Sequence, residues 1–249
     1  MYVVYPTYTV YSCQQADREI SEKDRPMTPK SAVQDARREP LTAARIVTAA
    51  MTIADREGLE TLSMRRVAAE LDATPMALYN HVGGKDELLD GIAGRLLEEM
   101  DLSVIDQSDF GRAIKTGYGE FRRVLLRHPN LVPVLQRKGD VSADAMRPVE
   151  VALSLLRGLG FTSEEAVMAH WTLTGFTMGH VMWQLASPLF DDEGKASHML
   201  DHERALPAAE FPCIVAALPF LEACDMDTAF EFGIDALIEG FQAKVAAKS

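Results

Sequence analysis

The chain has 249 residues, 47% of them hydrophobic and 25% charged, with a formal net charge of −12. That composition excludes collagen-like and low-complexity chains and leaves room for two domains, or one large one, around a sizeable core. The charge excludes a generally basic nucleic-acid binder, so any affinity for DNA must come from a local patch.

Residues 1–39 open with MYVVYPTYTVYSCQQ and continue through a mixed-charge, proline-broken segment to Arg37, Arg38 and Glu39. With no basic start and no continuous apolar core, this is not a secretory signal. Two readings stand: a mostly disordered arm whose Arg37 and Arg38 reach a DNA backbone or minor groove, or an over-long start with Met27 as the initiator. The three cysteines, Cys13, Cys213 and Cys224, are odd in number and lack CxxC spacing. They fit a reducing, cytoplasmic setting without a disulfide framework. Buried inert thiols and a redox pair of Cys213 and Cys224 are the competing accounts.

Thr42 is placed to cap a first helix that runs to about Glu57 with Ile46, Ala49, Ala50, Ile53 and Ala54 on one face, and Gly58 stops it. Ser63 caps a short helix from Met64 to Leu71, with Val67, Ala68 and Leu71 along one stripe and Arg65, Arg66 and Glu70 opposite. After a break at Asp72 and Ala73, Thr74 and Pro75 combine a capping hydroxyl with a proline at the first helical position. The helix they start, to about Val82, is too short to persist alone, so Leu78 and Val82 must be clamped by neighbours. Gly83 and Gly84 end it, and Lys85 opens a longer helix carrying Leu88, Leu89, Ile92, Ala93, Leu96 and Leu97. Two short helices joined by a tight turn and flanked by longer supports make a helix-turn-helix.

The segments SMRRVAAEL and PMALYNHVGGKDELL resemble the DNA-binding domain of the tetracycline-repressor (TetR) family of one-component bacterial regulators. The resemblance begins near Leu41. It implies that Arg65 makes a backbone or base contact, that Pro75, Met76, Ala77, Tyr79 and Asn80 lie on a recognition helix with His81 at its end, and that Lys85 clamps a phosphate. The residue chemistry agrees: Lys85 and the first amides of its helix suit an anion, the Tyr79 hydroxyl suits a phosphate, and Met76 and Ala77 suit a thymine methyl. Half-buried packing for Tyr79 and a solvated face for Arg65 are the alternatives. Asp72 departs from the family, which usually has glycine in this turn, but aspartate tolerates the left-handed conformation better than most residues. The net acidity is answered by geometry: Arg45, Arg65, Arg66 and Lys85 lie in or near the helix pair, while Asp90, Glu98, Glu99 and Asp101 lie further down the supporting helix.

Beyond about residue 100, Asp109 leads a helix with Phe110, Ile114, Phe121, Val124, Leu125 and Leu126 that stops near His128. A short apolar segment from Leu131 to Leu135 precedes a loop and a helix from Ser142 to Gly158, which Pro148 is expected to kink. Residues 164–187 are the most apolar stretch, yet His170, Thr172, Thr174, His180 and Gln184 interrupt it too often for a membrane span. Apolar all round, it is expected to be buried on both sides: Gly175 and Gly179 permit close helix approach, so that one face meets a neighbour or a twin subunit while the other lines a cavity. In the polar stretch 191–204, His198 and His202 have metal-ligand spacing, but a solvated, flexible loop is the favoured reading, so no metal is assigned. A last helix from Asp227 to Lys244 carries Phe230, Ile234, Leu237, Ile238 and Phe241 on one stripe.

No alternating strand pattern occurs, so the class is all-α: an arm over 1–39, a three-helix DNA-binding domain over 40–100 and a helical ligand-binding and dimerisation domain over 101–249. FRRVLLRHPNLVPVLQ, GFTSEEAVMAHWTLTGFTMGHV and FEFGIDALIEGF resemble the tetracycline-repressor branch, which implies a ligand core and a dimeric four-helix bundle. The branch's metal-binding histidine falls here at about Leu135 or Gln136, so a magnesium–tetracycline inducer is not supported. His128, Met168, Trp171, Phe176, Met178 and Met182 are the ligand-site candidates, with ordinary core packing as the alternative; methionine adapts its shape to varied apolar ligands. No GxSxG, HExxH, dinucleotide fingerprint or P-loop occurs, so an enzyme is not expected and no cofactor is assigned. The expectation is a repressor that binds a double-stranded, near-palindromic operator as a homodimer and is released by a small apolar inducer. A ligand-sequestering or protein-binding dimer without DNA binding is the alternative.

Overall fold

The structure is a computed structural model that describes residues 40–137, 139–186, 201–223 and 225–248. The arm with Arg37 and Arg38, together with Cys13, Cys224, His198 and the side chain of His202, lies outside the described residues. From Leu41 on, the chain forms one compact unit. It is built of helices, with no strand among the described residues.

The first four helices are α1 (Ala43–Glu57), α2 (Met64–Glu70), α3 (Pro75–Tyr79) and α4 (Lys85–Glu98). Side-chain caps set their starts: the amides of Arg45, Arg66 and Ala77 donate to the hydroxyls of Thr42, Ser63 and Thr74, each at 3.2 Å. Each cap satisfies a donor that the helix itself leaves unpaired. Asp72 turns the chain between α2 and α3 with φ of 50°, the left-handed conformation that glycine usually supplies. A core of Ile46, Ile53, Leu62, Val67, Leu78, Leu88 and Ile92 joins all four helices. α1 and α4 pack so closely that a Cβ on Gly91 would stand 2.7 Å from Val47 Cγ2.

The rest comprises α5 (Phe110–Arg127), a 3-10 helix over Pro129–Gln136, another over Asp144–Met146, α6 (Arg147–Leu159), α7 (Ser163–Ala186), α8 (Asp201–Arg204), α9 (Pro212–Ala223) and α10 (Met226–Ala246). A second core forms from Ile114, Phe121 and Leu125 of α5, Leu156 of α6, Leu173 and Val181 of α7, and Phe230, Ile234 and Phe241 of α10.

One expectation changes, and two elements gain detail. Pro148 lies in the first turn of α6, where its missing N–H costs nothing, so α6 starts at Arg147 and Pro148 does not kink it. Within this one chain α7 buries one side: Ala166, Ala169, Leu173, Thr177, Val181 and Gln184 face inward, while Met168, Trp171, Met182 and Trp183 lie on the side expected to meet a neighbour or a twin subunit. A Cβ on Gly175 or Gly179 would meet nothing within 4 Å, so these glycines lie on open surface of this chain. α9 has no counterpart in the sequence reading, because an apolar run with prolines at 212 and 219 carries no helical period.

The two cores meet at α4 and α5. His128, just past α5, stands between Asp55 of α1 (Nδ1 to Oδ2, 2.7 Å) and Glu99 at the end of α4 (Nε2 to Oε2, 3.1 Å). Beside it, Asn130 Nδ2 donates to the carbonyls of Ala54 and Asp55 at 3.2 and 3.1 Å, satisfying the last turn of α1. Arg123 donates to the Glu99 carbonyl at 3.1 Å.

Candidate nucleic-acid interface and ligand cavity

α3 is held by a single inward edge. Leu78 is 0% exposed and Val82 is buried, whereas Met76 is 72% and Tyr79 48% exposed. Pro75, Asn80 and His81 are also exposed and Ala77 is half-buried, so the residues expected on a recognition helix share one outward surface. Met76 and Tyr79 are thus two large side chains left in water on a five-residue helix, where they contribute nothing to its core.

The cations near this surface divide into two kinds. Arg66 is engaged inside the fold: it lies 2.8 Å from Glu57 and 2.8 Å from Glu70, with Arg56 on the same two carboxylates. Hydrogen bonds from Arg66 and then Arg56 pull the Glu57 carboxyl down to about 2. Arg65, one position earlier on α2, points outward. Lys85 Nζ donates to the Leu62 carbonyl at 2.8 Å, tying the start of α4 to the segment before α2. An ammonium has three protons, so this bond leaves donors for a phosphate. The nearby carboxylates are occupied, Asp86 by Arg137 at 2.7 Å and Glu87 by the Gly83 amide at 2.6 Å.

A cavity of about 110 Å³ lies among α4, α5, α6 and α7. Leu97 and Met100 close it at the end of α4, with Leu102 and Ile105 from the turn that follows. Ile114, Gly117 and Phe121 come from α5, and Val149, Ala152 and Leu155 from α6. The polar side chains in its wall are Tyr118, His170 and Thr174. Tyr118 Oη lies 2.7 Å from His170 Nδ1. Burial pushes the Tyr118 phenol well above its ordinary value, and burial also lowers the His170 imidazole, so both favour their uncharged forms.

None of the six ligand-site candidates lines this cavity. His128 belongs to the junction between the cores. Met168, Trp171 and Met182 fall on the open stripe of α7, with Trp171 70% exposed. Phe176 stacks on Phe230 of α10 at 5.5 Å and covers Gly233, and Met178 packs at the edge of the second core. The reason is rotational: α7 turns positions 170 and 174 to the cavity, so 168, 171 and 182 face away. Two polar residues four apart in an apolar helix were the available signal for His170 and Thr174. For Tyr118, its place four residues after Ile114 on the buried stripe of α5 was the signal.

Another buried polar group lies beside the cavity wall. Arg122, one turn beyond Tyr118 on α5, donates to Asp227 Oδ1 at 2.7 Å and to Gln184 Oε1 at 2.8 Å, and lies 5.1 Å from the centre of the Phe230 ring. At Leu135 and Gln136, the former packs against both cores and the latter's Nε2 lies 3.2 Å from Met182 Sδ.

Comparison with known proteins places these features. Residues 46–92 match the family described as bacterial regulatory proteins, tetR family, and residues 107–245 match the tetracyclin repressor-like, C-terminal domain. The HTH-type transcriptional repressor DrrR1 of Streptomyces coeruleorubidus is 34% identical over 84% of this chain and 80% of its own length. The class E tetracycline repressor protein of Escherichia coli is 25% identical over 82% of this chain and 92% of its own. Apo ActR from Streptomyces coelicolor superposes with a TM-score of 0.73 at 31% identity, covering 85% of this chain and 99% of that one. ActR solved in complex with actinorhodin gives a TM-score of 0.70 at 31% identity, covering 83% and 99%.

Proposed function

The chain belongs to the tetR family of bacterial regulatory proteins, and we propose that it acts in the cytoplasm as a homodimer that holds a near-palindromic operator until a small molecule releases it. It is a ligand-responsive, DNA-binding transcriptional repressor. In this reading each α3 enters a major groove. Met76 and Ala77 meet thymine methyls, and Pro75, Asn80 and His81 complete the contact surface. Tyr79 and Lys85 hold phosphates on either side, and Arg65 reaches in from α2. A second copy is favoured by the open stripe of α7, where Trp171, Trp183 and two glycines face outward, and by Phe232, which is 80% exposed on α10. Contiguous apolar surface of that kind marks an interface.

The observation that carries the reading is the split of α3 into one buried anchor, Leu78, and an outward row that no core contact requires. Coupling follows from where the cavity lies. Leu97 and Met100 at the far end of α4 form its wall, and Lys85 at the near end sits beside α3. An occupant that presses on that wall re-aims α4, against the hold of Arg123, Arg127 and His128 on Glu99. Shifting operator occupancy ~100-fold requires ~2.7 kcal/mol of differential affinity between the two dimer geometries. Footprinting on the chain's own upstream region tests this. Two protected half-sites about 10 base pairs apart, or a multiple of that, are expected, and scattered protection without symmetry contradicts it.

A further inference from the structure

We propose that the molecule this cavity is shaped to hold is uncharged, apolar over most of its surface, and carries one hydroxyl or carbonyl directed at Tyr118, His170 and Thr174. The proposal rests on reading the cavity as the inducer site and adds the chemical class of its occupant.

Three observations carry it. First, among the described residues no Asp, Glu, Lys or Arg side chain lines the cavity, whose described walls are aliphatic and aromatic apart from those three polar groups. Second, the buried cation nearest along α5, Arg122, is already engaged by Asp227 at 2.7 Å and by Gln184 at 2.8 Å. It is also not among the lining residues. An ionised ligand would therefore give up its hydration with no counter-charge to replace it. Third, the three polar groups are gathered on one side. The Tyr118 phenol and His170 Nδ1 lie 2.7 Å apart, and the Thr174 hydroxyl lies one turn along α7.

Hydrogen-bond capacity narrows the class further. Whichever partner of the Tyr118–His170 pair donates, the pair retains an accepting oxygen lone pair on Tyr118, and the Thr174 hydroxyl can turn either way. A ligand hydroxyl or carbonyl can be matched, and an apolar ring or chain fills the space against Leu97, Met100, Ile114, Phe121 and Leu155. A ligand with no polar group would leave the spare hydrogen-bonding capacity of this cluster unused, beyond the bonds its members make to one another.

Calorimetric titration of the full chain with naphthalene, 2-naphthol and 2-naphthoate at neutral pH tests the proposal, since the three share one ring system. The expected order is 2-naphthol about tenfold tighter than naphthalene, and 2-naphthoate at least about a hundredfold weaker than 2-naphthol. Tyr118→Phe and Thr174→Val should each bring 2-naphthol toward naphthalene while naphthalene itself still binds. Equal or tighter binding of 2-naphthoate overturns the proposal. So does a loss in both variants that is the same for naphthalene and 2-naphthol, or an absence of binding by all three probes. Operator affinity is measured in parallel with and without 2-naphthol. The expected binding order with no change in operator affinity would uphold the chemistry of the cavity and reject its reading as the inducer site.

Discussion

The helix pair and the cavity half bury different things. From Leu41 to Met100 the buried side chains are apolar, and every cation and carboxylate lies at least partly in solvent. In the second half Arg122, His128, Thr177 and Gln184 are buried as well, all on α5, just after it, or on α7. Some of this polarity is unmatched: Thr177 Oγ1, Arg122 Nε and both His180 ring nitrogens have no hydrogen-bond partner among the described residues. Burying polar groups costs free energy that an apolar core would not require. The outward row of α3 stands on an apolar platform, whereas the second half places these buried polar groups between its helices and outside the cavity lining.

The sharpest way to break the comparison is at the platform. Leu78 is the one fully buried side chain within α3, so Leu78→Ala should cost about 2–5 kcal/mol in urea unfolding and abolish operator binding. A loss under about 1 kcal/mol would mean that α3 is held by something other than its buried edge. The junction comes next. Removing the His128 ring leaves Asp55 and Glu99 facing a gap, with Asp55 Oδ1 already unpaired. His128→Ala should lower stability by about 1–3 kcal/mol and reduce the urea m-value, because the two cores lose a shared contact. An unchanged m-value would show that they unfold as one unit without it.

The smallest effect lies on the platform's surface. Glu57 is held at about 2 by hydrogen bonds from Arg66 and Arg56, below its usual value of 4.5. A depressed carboxylate stabilises the fold above its unfolded value, and that support is lost as the pH falls from about 4.5 through about 2. Glu57→Gln should therefore lower stability slightly above about pH 4.5 and converge with the wild type below about pH 2, which flattens the acid limb within that window; the effect is small, as expected for a solvent-screened pair. A steeper acid limb in the variant would contradict the assignment.

These two regions were also unequally legible in the sequence. The platform is written in local signals: Thr42, Ser63 and Thr74 each cap within three residues, Asp72 turns in place of glycine, and the apolar stripes have one buried side. The cavity depends on contacts between distant residues. Tyr118 and His170 are 52 positions apart, and Arg122 and Asp227 are 105 apart. α7 is apolar all round, so its periodicity does not say which side is inside, and three of its five candidates, Met168, Trp171 and Met182, fell on its outer stripe. α9 combines two prolines with an unbroken apolar run, a pattern that suits several conformations.

The central claim is that the outward row of α3, with Lys85 beside it, meets DNA. The most direct measurement is a salt-titrated mobility shift on the protein's own operator for the wild type and for a Tyr79→Ala, Lys85→Gln double variant, in which glutamine keeps a donor for the Leu62 carbonyl. The account predicts at least about a tenfold loss of affinity and a salt slope shallower by about one. Unchanged affinity and slope, in a variant that unfolds like the wild type, would contradict it.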